Sequence, residues 1–244
     1  MNHLLAALLI AQPVATSRDE LPRNFSRMEC YGDKLYLAPR ISTSIYEFIA
    51  QDSIRPVSVT DEVNYRIFDF RITPFAIYIN RGSALEKFFI TSGKKEVVFR
   101  SRDISSFALT PADEIILADR QTQELIFLDF LYQEKFRIAN VQILDIQWRD
   151  TLIYALSPKR IFVYDEYGNL IDDIPTPEWS NRIITNHRDI LIFAEQNNYI
   201  YRAGVEWQRI EFPFAVSDIC LQKNAIVILD GTGHYLYRYK RDEF

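Results

Sequence analysis

The 244-residue sequence predicts an all-β fold, a six-bladed β-propeller with four-stranded antiparallel blades, and three observations predict it. Short runs alternate apolar and polar residues at a period of two, the mark of half-buried strands. The runs recur in sets, with first strands centred on Met28, Phe68, Phe107, Ile146, Ile183 and Ile219, at spacings of 40, 39, 39, 37 and 36 residues. The composition, 48% apolar with 17 Phe and 14 Tyr, suits pleated surfaces buried against one another. A period near 40 with four strands per unit describes a propeller blade. Blades are expected to begin near residues 25, 65, 104, 143, 180 and 216.

Each unit then supplies its second strand, in order "KLYLA", "FAIYIN", "EIILAD", "TLIYAL", "DILIFAE" and "AIVILD". Third strands follow as "SIYEFIA", "LEKFFIT", "ELIFLDF", "RIFVYDE", "NYIYRAG" and "HYLYRYK". Fourth strands are less apolar: "RPVSV", "EVVFRS", "KFRIA", "LIDDIP" and "QRIEF". Turn residues such as Gly32-Asp33, Gly93-Lys94, Pro111-Ala112-Asp113 and Tyr167-Gly168-Asn169 join them. The sixth unit ends after its third strand, while "PVATSRDEL" (13–21) matches "PVSVTDEV" (56–63), the fourth strand and exit loop of the first blade. The N-terminal segment is therefore expected to supply the missing outer strand of blade six, because an unclosed ring exposes strand edges. The propeller then covers 13–244.

Residues 1–12 contain an apolar run, Leu4 to Ala11, that fits the hydrophobic region of a secretory signal, although no Lys or Arg precedes it. The expectation is export to a bacterial periplasm or cell envelope; the alternative is an apolar segment packed on a cytoplasmic body. Nowhere else is there a stretch of the roughly 20 apolar residues that a spanning helix needs. A formal charge of −5 argues against a polyanion binder as a whole and leaves room for a local basic patch. Cys30 and Cys220, on the inner strands of blades one and six, differ by one position relative to their anchors. They are therefore expected to point to opposite faces and to stay as buried free thiols.

The stretches "ILADRQTQELIFLDFLYQEKFRI" and "IYALSPKRIFVYDEYGNLIDDI" resemble the six-bladed NHL-type repeat, with its strand ending in Asp, polar loop, I-x-V-Y/F-D strand and glycine turn. The resemblance implies a binding or scaffold module, with RNA or protein partners in animal members and scaffold roles in exported bacterial ones. Related six-bladed propellers of the gluconolactonase type are metal-dependent hydrolases, which supplies the alternative reading.

For a site, the repeat places a cation at the start of the second-to-third-strand loop in four successive blades: Arg40, Arg81, Arg120 and Lys159. Blade-joining loops on the same end add Arg66, Arg102 and Arg182, with Arg23 and Arg27 nearby. Guanidinium groups there would suit a small anionic ligand or an acidic protein partner. The competing reading pairs them with Asp61, Glu62, Asp103, Asp119, Glu124 and Asp145 as loop stitching. Stacking platforms for nucleic acid reduce to Trp179, Phe212 and Phe214, too few for an RNA-binding expectation. Asn80, Asp119, Glu195 and Asp230, at second-strand ends, could offer oxygen ligands to calcium, though such residues more often serve turns. No cofactor is otherwise implied, and no nucleophile elbow or phosphate loop occurs. The three histidines, His3, His187 and His234, are not placed to share a metal.

Overall fold

The computed structural model describes residues 10–11, 13–50, 53–186 and 189–241. The expectations for most of 1–12, including His3, and for His187 lie outside the described residues. Blade one comprises Arg27–Tyr31, Lys34–Ala38, Ser44–Ala50 and Ser53–Ser58, ordered from the axis outward. Blade two comprises Asp69–Ile72, Ala76–Asn80, Ala84–Phe89 and Lys95–Arg100; blade three, Ile104–Leu109, Ile115–Asp119, Glu124–Leu128 and Glu134–Ala139. Blade four comprises Asp145–Arg149, Leu152–Leu156, Arg160–Asp165 and Leu170–Pro175; blade five, Arg182–Thr185, Ile190–Phe193, Tyr199–Arg202 and Gln208–Glu211. Blade six has Val216–Leu221, Ala225–Asp230 and Tyr235–Lys240 from the C-terminal end of the chain, and Ser17–Glu20 as its outer strand. Inner strands touch those of the next blade around a closed cycle.

The alternation in the sequence becomes two buried faces per blade. Phe107, Ile146, Ile183 and Ile219 point one way along the ring and meet the preceding blade, while their sequence neighbours meet the following one. Every seam is thus a front face packed on a back face, with aromatics such as Phe193, Tyr78 and Phe70 filling the gaps. Blade two corrects the register. Phe68 lies just ahead of its inner strand, and Phe70, paired with Ile79, occupies the place that Ile146 and Ile219 hold in their blades. Two aromatics of equal parity preserved the face while shifting the anchor by two.

Closure uses the ladder of Ser17–Glu20 on Tyr235–Arg238, extended by Thr16 N–H donating to the Arg238 carbonyl at 2.7 Å and Leu21 N–H to that of His234 at 2.7 Å. Asp19 pairs with Arg238, and the Arg18 guanidinium lies 3.9 Å from the Tyr235 ring centroid. Upstream, Ile10 and Ala11 run parallel beside the outer strand of blade five, opposite Arg209 and Ile210. Gly233, at φ +73°, lets the chain pass the Phe25 carbonyl, which a Cβ at that position would approach to 2.0 Å.

The cysteine expectation is overturned. Cys30 and Cys220 are joined, with Cα atoms 5.8 Å apart, inside the range a disulfide spans. Since seams oppose front to back, the side of blade one that faces blade six carries Met28 and Cys30, and the side of blade six that faces it carries Cys220. An offset of one residue is what brings the two sulfurs together. Among the described residues no helix is long and apolar enough to cross a membrane.

Candidate functional site

Strand direction alternates within each blade, so second-to-third-strand loops and blade-joining loops share one end of the ring. Hydrogen bonds sew them to one another: Ile67 N–H to the Arg40 carbonyl at 2.9 Å, Ile104 N–H to that of Gly82 at 2.6 Å, Arg120 N–H to that of Asp103 at 2.9 Å and Thr176 N–H to that of Lys159 at 3.0 Å. The expected cations divide into three groups on this scaffold.

Arg40, Arg66, Arg102 and Lys159 are exposed and make no ion pair among the described residues. Arg40 lies over the Phe68 ring at 5.8 Å, and Ile41 forms a single bridge to Arg66, which sets those two loops side by side. Arg81 and Arg120 are stitched. Two hydrogen bonds of 2.8 and 3.0 Å tie Arg81 to Glu62, and Arg120 stands 3.7 Å from Asp103. Arg23 donates to the Tyr46 hydroxyl at 2.5 Å, and Arg27 is held by Glu195 at 2.8 Å and by the Phe68 carbonyl at 2.6 Å. Glu124 turns to Arg137 on the blade surface.

Arg182 does not belong to the loop face. It heads the inner strand of blade five, is only 6% exposed, and sits in a buried axial cluster. The residue just before each true anchor is Arg27, Asp69, Ser106, Asp145, Arg182 or Asp218, one per blade. The Arg182 guanidinium lies 3.2 Å from Asp218, 3.7 Å from Asp145 and 3.8 Å from Asp69. The same acids reach across seams to backbone: Asp218 accepts from Met28 N–H and Asp145 from Ile183 N–H, both at 2.9 Å. Ser106 donates to Asp145 at 2.6 Å. Burial alone would raise the Asp69 carboxyl, but Arg71, Arg182 and Arg27 outweigh it and hold it below its ordinary range. At Asp218 burial wins and the carboxyl is raised. One step further along the inner strands, burial pushes Glu29 up to about 7 against the pull of Arg71. Such buried pairs fix register more surely than they add stability.

The four candidate oxygen ligands are engaged in their own loops. Asn80 donates to the Ile104 carbonyl at 3.1 Å and accepts from Gly82 N–H at 2.7 Å. Asp119 accepts from Gln121 and Thr122 N–H, Asp230 from His234 and Tyr235 N–H, and Glu195 pairs with Arg27. Among the described residues no group of three or more His, Cys, Asp or Glu is arranged to hold a metal ion. Of the three aromatics in blade-joining loops, Trp179 is 57% exposed, while Phe212 is buried and Phe214 stacks on Tyr237 at 4.0 Å. Two further apolar side chains stand out on this end, Ile41 at 53% and Val63 at 81% exposure. They were not singled out in the sequence, where an apolar residue in a loop looks like any other.

No protein-family model and no curated protein matches the chain. Among solved structures it is similar to the virginiamycin B lyase of Staphylococcus aureus with quinupristin, at TM-score 0.64 and 11% identity over 89% of this chain and 82% of that one. It is also similar to YCF48 bound to D1 peptide, at TM-score 0.61 and 10% identity over 89% and 78% of the two chains. The WD40 domain of Neurospora crassa Pan2 aligns at TM-score 0.62 and 11% identity over 89% of each chain. A lyase, a peptide-bound protein and a WD40 domain share one architecture here, so the likeness carries fold and leaves function to the site. Six four-stranded blades closed by an N-terminal strand, together with these neighbours, make the chain a six-bladed β-propeller.

Proposed function

We propose that the protein is a non-enzymatic binding module whose loop-lined end recognises an acidic segment of a protein partner. The observation that carries the reading is the mixture on that end: Trp179, Ile41 and Val63 stand exposed among the unpaired Arg40, Arg66, Arg102 and Lys159. Exposed aromatic and arginine side chains are the types that dominate binding energy at interfaces. Cations around them favour an acidic partner by steering its approach. The peptide-bound state of a propeller of similar fold, YCF48 with D1 peptide, supports the class of partner without identifying it. Export, suggested by the Leu4–Ala11 run, would place that partner in the cell envelope.

The test is affinity capture from envelope extract, comparing the full chain with a variant carrying R40E, R66E, R102E and K159E, and with Trp179→Ala. A partner held by the wild type, released by moderate salt, and lost by both folded variants supports the reading. A partner retained by both would remove this end from recognition.

A further inference from the structure

The opposite end of the ring opens onto an axial cavity that the loop-face reading does not use. Two compartments, of about 290 and 110 Å³, share Glu29, Arg71 and Gln147 as lining. The larger is completed by Thr73, Thr110 and Trp148 among others, and the smaller runs up to Arg182 and the cysteine pair. The larger alone has the space of roughly ten water molecules.

The polar groups facing this space are unevenly satisfied. Thr73 Oγ is committed to Ala76, accepting from its N–H at 3.1 Å and donating to its carbonyl at 3.2 Å. Thr110 Oγ accepts from Ala112 and Glu114 N–H. Arg71 is only 9% exposed, and its Nη1 serves Asp69 at 2.8 Å and the Phe70 carbonyl at 2.9 Å, whereas its Nη2 has no acceptor. A buried guanidinium N–H without a partner is costly, so it marks a place where an acceptor is missing. The Glu29 carboxyl lies 3.6 Å from Arg71 Nη1, too far for a good hydrogen bond.

The charge balance selects the ligand. Once Arg27 is matched with Glu195, the axial core holds Glu29, Asp69, Asp145 and Asp218 against Arg71 and Arg182. That carboxylate excess disfavours an anion at Arg71 Nη2 and favours a cation at Glu29. We propose that the axial cavity binds a primary ammonium group with a neutral carbonyl beside it, the ammonium donating to Glu29 and the carbonyl accepting from Arg71 Nη2. Gln147, with both a donor and an acceptor, faces the remaining amide, and Trp148 supplies an apolar wall for the adjoining side chain. A chain N-terminus and a free aminoacyl amide share this chemistry.

Calorimetric titration of the full chain with L-alaninamide, N-acetyl-L-alaninamide, tetra-alanine and glucose tests the proposal. The two free amines are expected to bind and the acetylated amide to fail. Tetra-alanine binding more tightly than alaninamide would identify a chain N-terminus as the source, and equal affinity a small amine. E29Q keeps the side-chain shape and removes the charge; it is expected to weaken amine binding about 10- to 100-fold, the usual scale for a hydrogen bond to a charged group. In the wild type, amide chemical-shift changes on adding alaninamide should centre on Glu29, Gln147 and Trp148, a readout that does not depend on any variant folding. Equal binding by the acetylated amide, unchanged affinity in E29Q, glucose binding in place of the amines, or shifts confined to the other end of the ring would each overturn it.

Discussion

Glu29 offers the sharpest test of the axial cluster, because its carboxyl is held well away from its ordinary behaviour. Burial raises it from 4.5 to about 7, with Asp69 and Asp218 pushing the same way and Arg71 and Arg182 opposing. A carboxyl raised on folding binds its proton more tightly in the folded chain than in the unfolded one. Between pH 4.5 and about 7 the folded state therefore carries a proton that the unfolded state has lost, and stability falls as pH rises through that window. The gap corresponds to a ceiling of about 3 kcal/mol, fully present as a penalty above pH 7 and absent below pH 4.5. Glu29→Gln removes the ionisation while keeping a planar, hydrogen-bonding group of equal size. Urea unfolding of wild type and variant at pH 5 and pH 8 should show near-equal stability at pH 5 and a variant more stable by up to about 3 kcal/mol at pH 8. Asp69 and Asp218 are present in both proteins, so the difference isolates Glu29. A difference that does not change with pH, or one that favours the wild type at pH 8, would refute the account of a desolvated carboxyl short of partners.

Other expectations concern the seams and the closure. Phe107→Ala and Ile146→Ala, both fully buried on inner strands, should each cost about 2 to 5 kcal/mol in denaturant melts. Replacing Cys30 and Cys220 together by Ser removes a cross-link spanning 190 residues and should lower stability by about 2 to 4 kcal/mol, with the wild type matching the variant once reduced. A chain starting at Arg23 lacks the outer strand of blade six and should melt earlier and self-associate on size exclusion; a monomer of unchanged stability would contradict closure through Ser17–Glu20. Gly233→Ala places a methyl group against the Phe25 carbonyl at a positive φ and should destabilise the same seam by about 1 to 3 kcal/mol in thermal melts.

The strands were legible because each blade is buried on both faces near the axis and more exposed at its rim, so hydrophobic alternation and its decline mark all four positions. The register of blade two was harder, since Phe68 and Phe70 are interchangeable to a pattern that reads only apolarity. A polar residue immediately before the anchor would have resolved it: Arg27, Asp145, Arg182 and Asp218 precede theirs, and only Asp69 continues the series. The same signal would have moved Arg182 from the loop face to the axis. The cysteine parity was read correctly and interpreted wrongly, because two strands of one sheet and two strands of neighbouring blades oppose different faces. Of the loop-face cations, repeat position put them on one end but could not separate exposed Arg40 from Arg81, whose partner Glu62 comes from a different loop.

The strand that completes the ring is made first and used last. During synthesis, Ser17–Glu20 leaves the ribosome more than 200 residues ahead of Tyr235–Lys240, the edge it must join. At about 5 to 20 residues per second it waits on the order of ten seconds or more, while blades one to five assemble beside it. Until then the chain is an open arc with an unsatisfied edge at one end and an unpaired strand at the other, able to exchange that strand with a second arc. Chain concentration during synthesis, more than the finished stability, thus governs whether these molecules emerge as single rings or as linked pairs.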